Sequence, residues 1–164
     1  MTDGRVLGID LGTTNSVVAL ADGGQARVLE DADGGRMVPS VVSFHPDGST
    51  LVGYAARDRR LLDAANTVYA VKRLIGRPFD APEVARARER FAFEIVANAH
   101  GGSVVQVRRG KYALAEISAM VLRELRRVAE DAVGEPCARA VVTVPANFNE
   151  LQRSATKAAG RVAG

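Results

Sequence analysis

Gly8-Ile9-Asp10-Leu11-Gly12-Thr13-Thr14-Asn15 is the stretch whose reading decides the fold class. With Val6 and Leu7 before it, the apolar run through Leu11 has the length and composition of a buried strand. Gly12-Thr13-Thr14-Asn15 then turns the chain, and Ser16 to Leu20 runs back as a second strand. Asp22-Gly23-Gly24 is hairpin chemistry, and Gln25 to Leu29 reads as a third strand. A strand follows the glycines, not a helix, so the stretch is not a dinucleotide-binding fingerprint. No G-x-x-x-x-G-K-[ST] pattern occurs either, which excludes a P-loop.

The turn has the chemistry of an anion site. Gly12 lets a ligand approach the backbone with no Cβ in the way. Successive N–H groups in a tight turn form an anion-binding concavity, and Thr13, Thr14 and Asn15 add side-chain donors. Asp10, at the strand end, can hold a hydrated divalent cation through its carboxylate. Taken alone, the same residues also describe an ordinary hairpin turn with no ligand.

Working outward, Asp31 to Gly35 is a loop, Val38 to Phe44 a short strand after a proline break, and Thr50 to Gly53 its return. The pattern predicts helices near Tyr54–Asp63 and Thr67–Ile75, the second capped by Gly76. A short charged helix fits Pro82 to Arg90. Phe91 to Val96 and Ser103 to Arg109 read as paired strands around Ala99-His100-Gly101-Gly102. Leu114, Ile117, Val121, Leu125, Val128 and Ala132 recur at helical spacing, so a long amphipathic helix follows, ended by Gly134-Glu135-Pro136. Ala140 to Val144 is read as a buried strand closed by Pro145. Asn149 with Gln152 makes a capping-box pattern for a last helix, Glu150 to Val162. The expected organisation is a core subdomain from 1–37 and 113–164, with 38–112 inserted into it. The helix–strand–helix end is expected to be incomplete, because such a sheet normally continues into another strand.

Composition sets outer bounds. The 164 residues are 47% hydrophobic and 25% charged, an ordinary globular balance. Net charge is +3, with Lys72, Lys111 and Lys157 the only lysines. Arg57, Arg59 and Arg60 cluster, as do Arg86, Arg88 and Arg90, but interleaved acids make both read as solvated helix faces, with no nucleic acid expected as a partner. Cys137 is the only cysteine, which excludes an internal disulfide and a cysteine metal cluster and points to a reduced, cytoplasmic setting. It reads as a small filler beside Pro136. Met1 to Arg5 does not open a signal peptide, and no window has the apolar length of a membrane span.

Four separated blocks, in order, carry a family resemblance. Gly8 to Ser16, then Val38-Pro39-Ser40 and Leu51-Val52-Gly53, resemble the N-terminus of the seventy-kilodalton heat-shock chaperones. Asn66 to Arg77 is similar to the family's next signature. Glu135-Pro136 and Ala140 to Asn149, with Gln152-Arg153 and Ala155-Thr156-Lys157, match the following one. The resemblance implies an α/β fold: an actin-like, ribonuclease-H-like ATPase lobe, its mixed sheet flanked by helices, with an inserted α+β subdomain. It implies ATP or ADP with Mg2+, phosphate contacts from Gly12, Thr13, Thr14 and Asn15, and Asp10 facing the metal's waters. It further implies that Lys72 reaches the γ-phosphate and the attacking water, where a fixed cation stabilises charge developing on the phosphoryl oxygens. Without that context, Lys72 is only a solvated lysine. Pro145, Arg153 and Lys157 match positions that in the family relay nucleotide state. Implied partners are unfolded polypeptides, a J-domain co-chaperone and a nucleotide exchange factor. The chain departs from the family at Asn147, usually tyrosine, at Glu150, usually aspartate, and at Val17, often cysteine in bacterial members.

Three readings follow: the ATP-binding lobe of an ATP-dependent chaperone, a non-catalytic half-domain, or another actin-superfamily ATPase or kinase. In the first two the chain by itself is expected to lack turnover, because one phosphate loop encloses a nucleotide on one side only.

Overall fold

The computed structural model describes residues 5–22 and 24–164. The start expected not to be a signal peptide, residues 1–4, and the centre of the Asp22-Gly23-Gly24 turn lie outside the described residues.

The opening meander is present as β1 (Val6–Asp10), β2 (Asn15–Asp22) and β3 (Gln25–Val28). β1 buries Leu7 and Ile9 and turns its alternate residues outward. It is therefore a strand with one covered face, as strict alternation requires. The run expected as one strand from Val38 is broken at Ser40 into β4 (Val38–Pro39) and β5 (Val41–Phe44). The break has a cause: the Ser40 N–H leaves the ladder to reach the Thr14 carbonyl, 2.8 Å away. β4 pairs with β2, whereas β5 pairs with β6 (Thr50–Val52) and β7 (Thr67–Tyr69).

Two expected helices need correction. The first, α1, covers only Tyr54–Asp58. Past it, Leu61 and Leu62 are 96% and 79% exposed, so no apolar face exists to hold further helical turns. The second, expected over Thr67–Ile75, is β7 followed by a 3-10 turn at Val71–Arg73. Thr67 and Val68 are β-branched and fully buried against β5, where Ser43 and Thr67 hydroxyls bond at 2.9 Å. Tertiary pairing overrides helical spacing here.

α2 (Pro82–Arg90) forms as expected, with proline in its first turn. β8 (Glu94–Ala97) and β9 (Ser103–Val107) pair antiparallel, and the unexpected β10 (Gly110–Ala113) extends that sheet. The long helix α3 (Leu114–Val133) opens with the Glu116 carboxylate accepting from the Ala113 N–H at 2.6 Å. Its buried stripe includes Ile117, Val121, Leu125 and Val128, and it touches strands of all three sheets. β11 (Arg139–Thr143) runs parallel to β1, and α4 (Glu150–Ala163) packs back on α3. The Asn149–Gln152 capping box is present, with Asn149 Oδ1 accepting from the Gln152 N–H at 3.0 Å.

The main sheet has the order β11-β1-β2-β3, with β4 attached to β2. It is mixed, since β1 is parallel to β11 and antiparallel to β2. The sequence reading of β11 as a buried strand also needs correction. β11 pairs on one side only and Val141 is 64% exposed, because β11 is the edge of the sheet among the described residues. No helix among the described residues is long and apolar enough to cross a membrane.

Candidate functional site

The β1–β2 loop is held by a closed ring of hydrogen bonds. The Gly12 N–H donates to Ser16 Oγ at 3.1 Å, and Ser40 Oγ donates to the Gly12 carbonyl at 2.9 Å. The two hydroxyls are 2.8 Å apart. Each has a single proton, so Ser16 must donate to Ser40 to complete the circuit. Ser16 is fully buried and Ser40 is 7% exposed, so the ring is shielded from water. Sequence reasoning assigned neither serine a role of its own. Their hydroxyls flanking a glycine turn were the available signal.

With the loop clamped from behind, its front is left open. The N–H groups and hydroxyls of Thr13 and Thr14 donate to no other group among the described residues, and the Asn15 side chain is also without a partner. A Cβ built on Gly12 would run into the Asn15 carbonyl, so the turn is closed too tightly for any other residue. These unspent donors on a braced turn fit phosphate oxygens.

Asp10 ends β1 beside Thr143 of β11, and the Thr143 hydroxyl donates to Asp10 Oδ1 at 2.8 Å. The parallel pairing thus fixes the carboxylate and leaves its other oxygen without a partner among the described residues. Thr143 is a positioning group that sequence reasoning missed, because it lies 133 residues away. Among the described residues no cluster of three or more His, Cys, Asp or Glu side chains could ligate a metal directly. A single oriented carboxylate fits a hydrated divalent cation held through water. Asp10 and the loop stand at the carboxyl ends of β1 and β11, where open α/β sheets place their ligands.

Lys72 lies in the 3-10 turn, partly exposed, with no hydrogen bond or ion pair among the described residues. None joins it to Asp10 or Thr13, so the structure does not bring these three into direct contact. Two neighbours fix its turn. Ala70 enters it at φ 56°, ψ 24°, the only non-glycine in the left-handed region among the described residues. That conformation costs roughly 1–2 kcal/mol, and such strain is held only where the surroundings over-determine it. Gly76 leaves the turn with its α-carbon against α4, since a Cβ there would stand 2.7 Å from Gln152 Cα.

Pro145 lies in the connector before α4, Arg153 in the first turn of that helix and Lys157 one turn further on. Arg153 Nε donates to the Phe148 carbonyl at 3.1 Å, and its Nη2 reaches the Ala146 carbonyl at 3.4 Å. The Phe148 N–H in turn bonds the Pro145 carbonyl at 3.0 Å. Arg153 therefore braces the connector that Pro145 opens. Arg153 and Lys157 also line a concavity of about 760 Å³ between β11 and α4, on the covered side of the sheet and not at the loop. Its walls are mainly apolar, with the Arg126, Arg139, Arg153, Lys157 and Arg161 side chains also lining it. Cys137 is 3% exposed, and burial, with the Glu130 and Glu135 carboxylates adding to it, pushes its thiol pKa up. A neutral buried thiol is a filler and not a nucleophile.

A mixed α/β lobe with a braced glycine–threonine turn at its strand ends has the architecture of an actin-like ATPase. The family model described as Hsp70 protein matches residues 6–164. The chain belongs to the Hsp70 family, and its residues correspond to the N-terminal, nucleotide-binding part. The family is one of nucleotide-binding chaperone ATPases.

Proposed function

We propose that this chain is the ATP-binding lobe of an ATP-dependent chaperone that binds and releases unfolded polypeptides. The observation that carries the reading is the Gly12-Thr13-Thr14-Asn15 turn, clamped by buried serines and presenting unpaired donors beside an oriented carboxylate. In this reading Gly12, Thr13, Thr14 and Asn15 hold the phosphates of ATP or ADP. Asp10 orients the waters of Mg2+, which supplies charge neutralisation at the phosphates when bound. Lys72 meets charge developing on the transferred phosphoryl group, and Pro145, Arg153 and Lys157 pass nucleotide state onward. Residues 1–37 and 113–164 form the core subdomain, and 38–112 the inserted one. The setting is cytoplasmic, with a J-domain co-chaperone and a nucleotide exchange factor as further partners.

Thr14 and Asn15 are exposed, so these residues offer a nucleotide one open wall. Water exclusion fails on such a wall, and the 164-residue chain is expected to release phosphate from ATP no faster than buffer. Titration calorimetry with MgADP tests the site. Thr13→Ala/Thr14→Ala should weaken binding at least about tenfold, the loss of one or two charge-assisted hydrogen bonds, with thermal stability unchanged. Undiminished affinity in that variant would place the nucleotide elsewhere. Multiple turnover abolished by Lys72→Ala would overturn the expectation of no hydrolysis.

A further inference from the structure

The arginines of α2 do not form the single solvated face that their sequence suggests. Arg88 turns away and lies over the Phe79 ring, 4.7 Å from its centroid. Arg86 and Arg90, one turn apart, instead line a groove of about 360 Å³ together with Arg73 and Arg77 from the Lys72 turn. Phe91 and Phe148 form its apolar walls. Glu83 is the one acid lining it, and it is already paired with Arg77 at 3.0 Å. The side chains of Arg73, Arg86 and Arg90 have no hydrogen-bonding or ion-pair partner among the described residues. Three uncompensated guanidinium groups therefore converge on one concavity, where their fields add and low-dielectric walls focus them.

We propose that this groove binds an acidic peptide segment, carboxylate side chains seated on the arginine forks and an apolar residue between Phe91 and Phe148. Carboxylates match the planar, bidentate donor geometry of arginine. The volume suits two or three side chains, at the small end of ligand pockets. The alternatives fit less well. A nucleic acid needs cations spaced along a backbone and free ring faces for its bases. Here the cations converge on one concavity and are not spaced along a track. A free polyphosphate would gain nothing from the phenylalanines. The groove is bounded by the Lys72 turn, α2 and the connector before α4, so one bound segment bridges three separate stretches of chain. It shares no residue with the phosphate loop, so it stands or falls independently of nucleotide binding.

Fluorescence anisotropy on the 164-residue chain tests the site with a labelled octapeptide alternating glutamate and leucine. The glutamate peptide is expected to bind at least about tenfold tighter than its glutamine counterpart. Arg86→Gln/Arg90→Gln should remove that preference, while Arg36→Gln/Arg57→Gln, with the same charge change elsewhere, should alter it less than about twofold. Both groove residues are exposed and make no side-chain bond within the described residues, so folding should survive. Arg86→Glu/Arg90→Glu should prefer the lysine–leucine peptide. Equal losses in the two double variants would overturn the site, as would no binding of the acidic peptide. Inorganic tripolyphosphate is the competing anion. If it binds as tightly as the peptide and Phe148→Ala weakens neither, the peptide assignment fails.

Discussion

Gly76→Ala should loosen the seat of the Lys72 turn, and its cost can be worked from the geometry. The added Cβ would stand 2.7 Å from Gln152 Cα, 2.8 Å from Gln152 N and 2.8 Å from Leu151 C. All three are backbone atoms inside a capped helix, so no flexible side chain can swing aside. Ordinary contact begins at 3.4 Å, and the two backbones must part by about 0.7 Å, an overpacking cost of roughly 1–3 kcal/mol. Gly76 also sits at φ 70°, where a side chain adds about 1 kcal/mol. The sum is about 2–4 kcal/mol, or a fall of roughly 4–16 °C in Tm for a chain of this size. Gly101→Ala separates the two contributions. Gly101 has nearly the same φ of 76°, and a Cβ there would meet nothing within 4 Å, so only the backbone cost of about 1 kcal/mol applies. Urea unfolding of both variants measures the difference. If they agree within about 0.5 kcal/mol, Gly76 is not wedged against α4 and the docking argument is wrong.

Three further outcomes follow from individual contacts. Ser40→Ala opens the ring behind the loop and leaves the buried Ser16 hydroxyl and the half-buried Gly12 carbonyl short of partners; denaturant unfolding should show a loss of about 1–3 kcal/mol, and a loss below about 0.5 kcal/mol would refute the ring. The Asp63 carboxyl pKa is lowered, first by the Asn66 amide hydrogen bond and then by Arg108 and Arg59, against opposing desolvation. Because the folded value is depressed, this stabilisation is present above the ordinary carboxylate range and is lost as pH falls below about 4; Asp63→Asn should flatten the stability–pH curve there, and an unchanged slope would count against the Asp63 cluster. The buried Cys137 thiol, its pKa raised, favours the folded state less once pH exceeds the ordinary thiol value of about 8.5. Iodoacetamide at about pH 8 should label it at least about tenfold more slowly in the folded chain than in urea, and equal rates would contradict its burial.

The loop was legible in the sequence because its chemistry is local. Strand, glycine, hydroxyls and returning strand are contiguous from Val6 to Leu20, so the strand–turn–strand course follows from neighbouring residues. The α3 stripe and the Asn149–Gln152 cap were legible for the same reason: three- and four-residue spacings are short-range signals. The errors have the opposite character. Thr67 to Ile75 satisfies helical spacing, but β5 lies alongside and takes Thr67–Tyr69 as its partner. β11 is apolar enough for a core strand, yet the sheet order puts it on an edge.

What the sequence by itself determined is therefore the strand–turn–strand course of the Gly12 loop, the major helices and the family to which the chain belongs. Only the tertiary structure decided what holds those parts in place. Ser40 reaches Gly12 across 28 residues, Thr143 reaches Asp10 across 133, and Gly76 meets the backbone of α4. The same folding separates Arg88 from Arg86 and Arg90 and sets the latter two opposite Arg73. Spacing along the chain reports torsional preference and amphipathic period, whereas these contacts depend on which surfaces meet after collapse, and that information is distributed over the whole core.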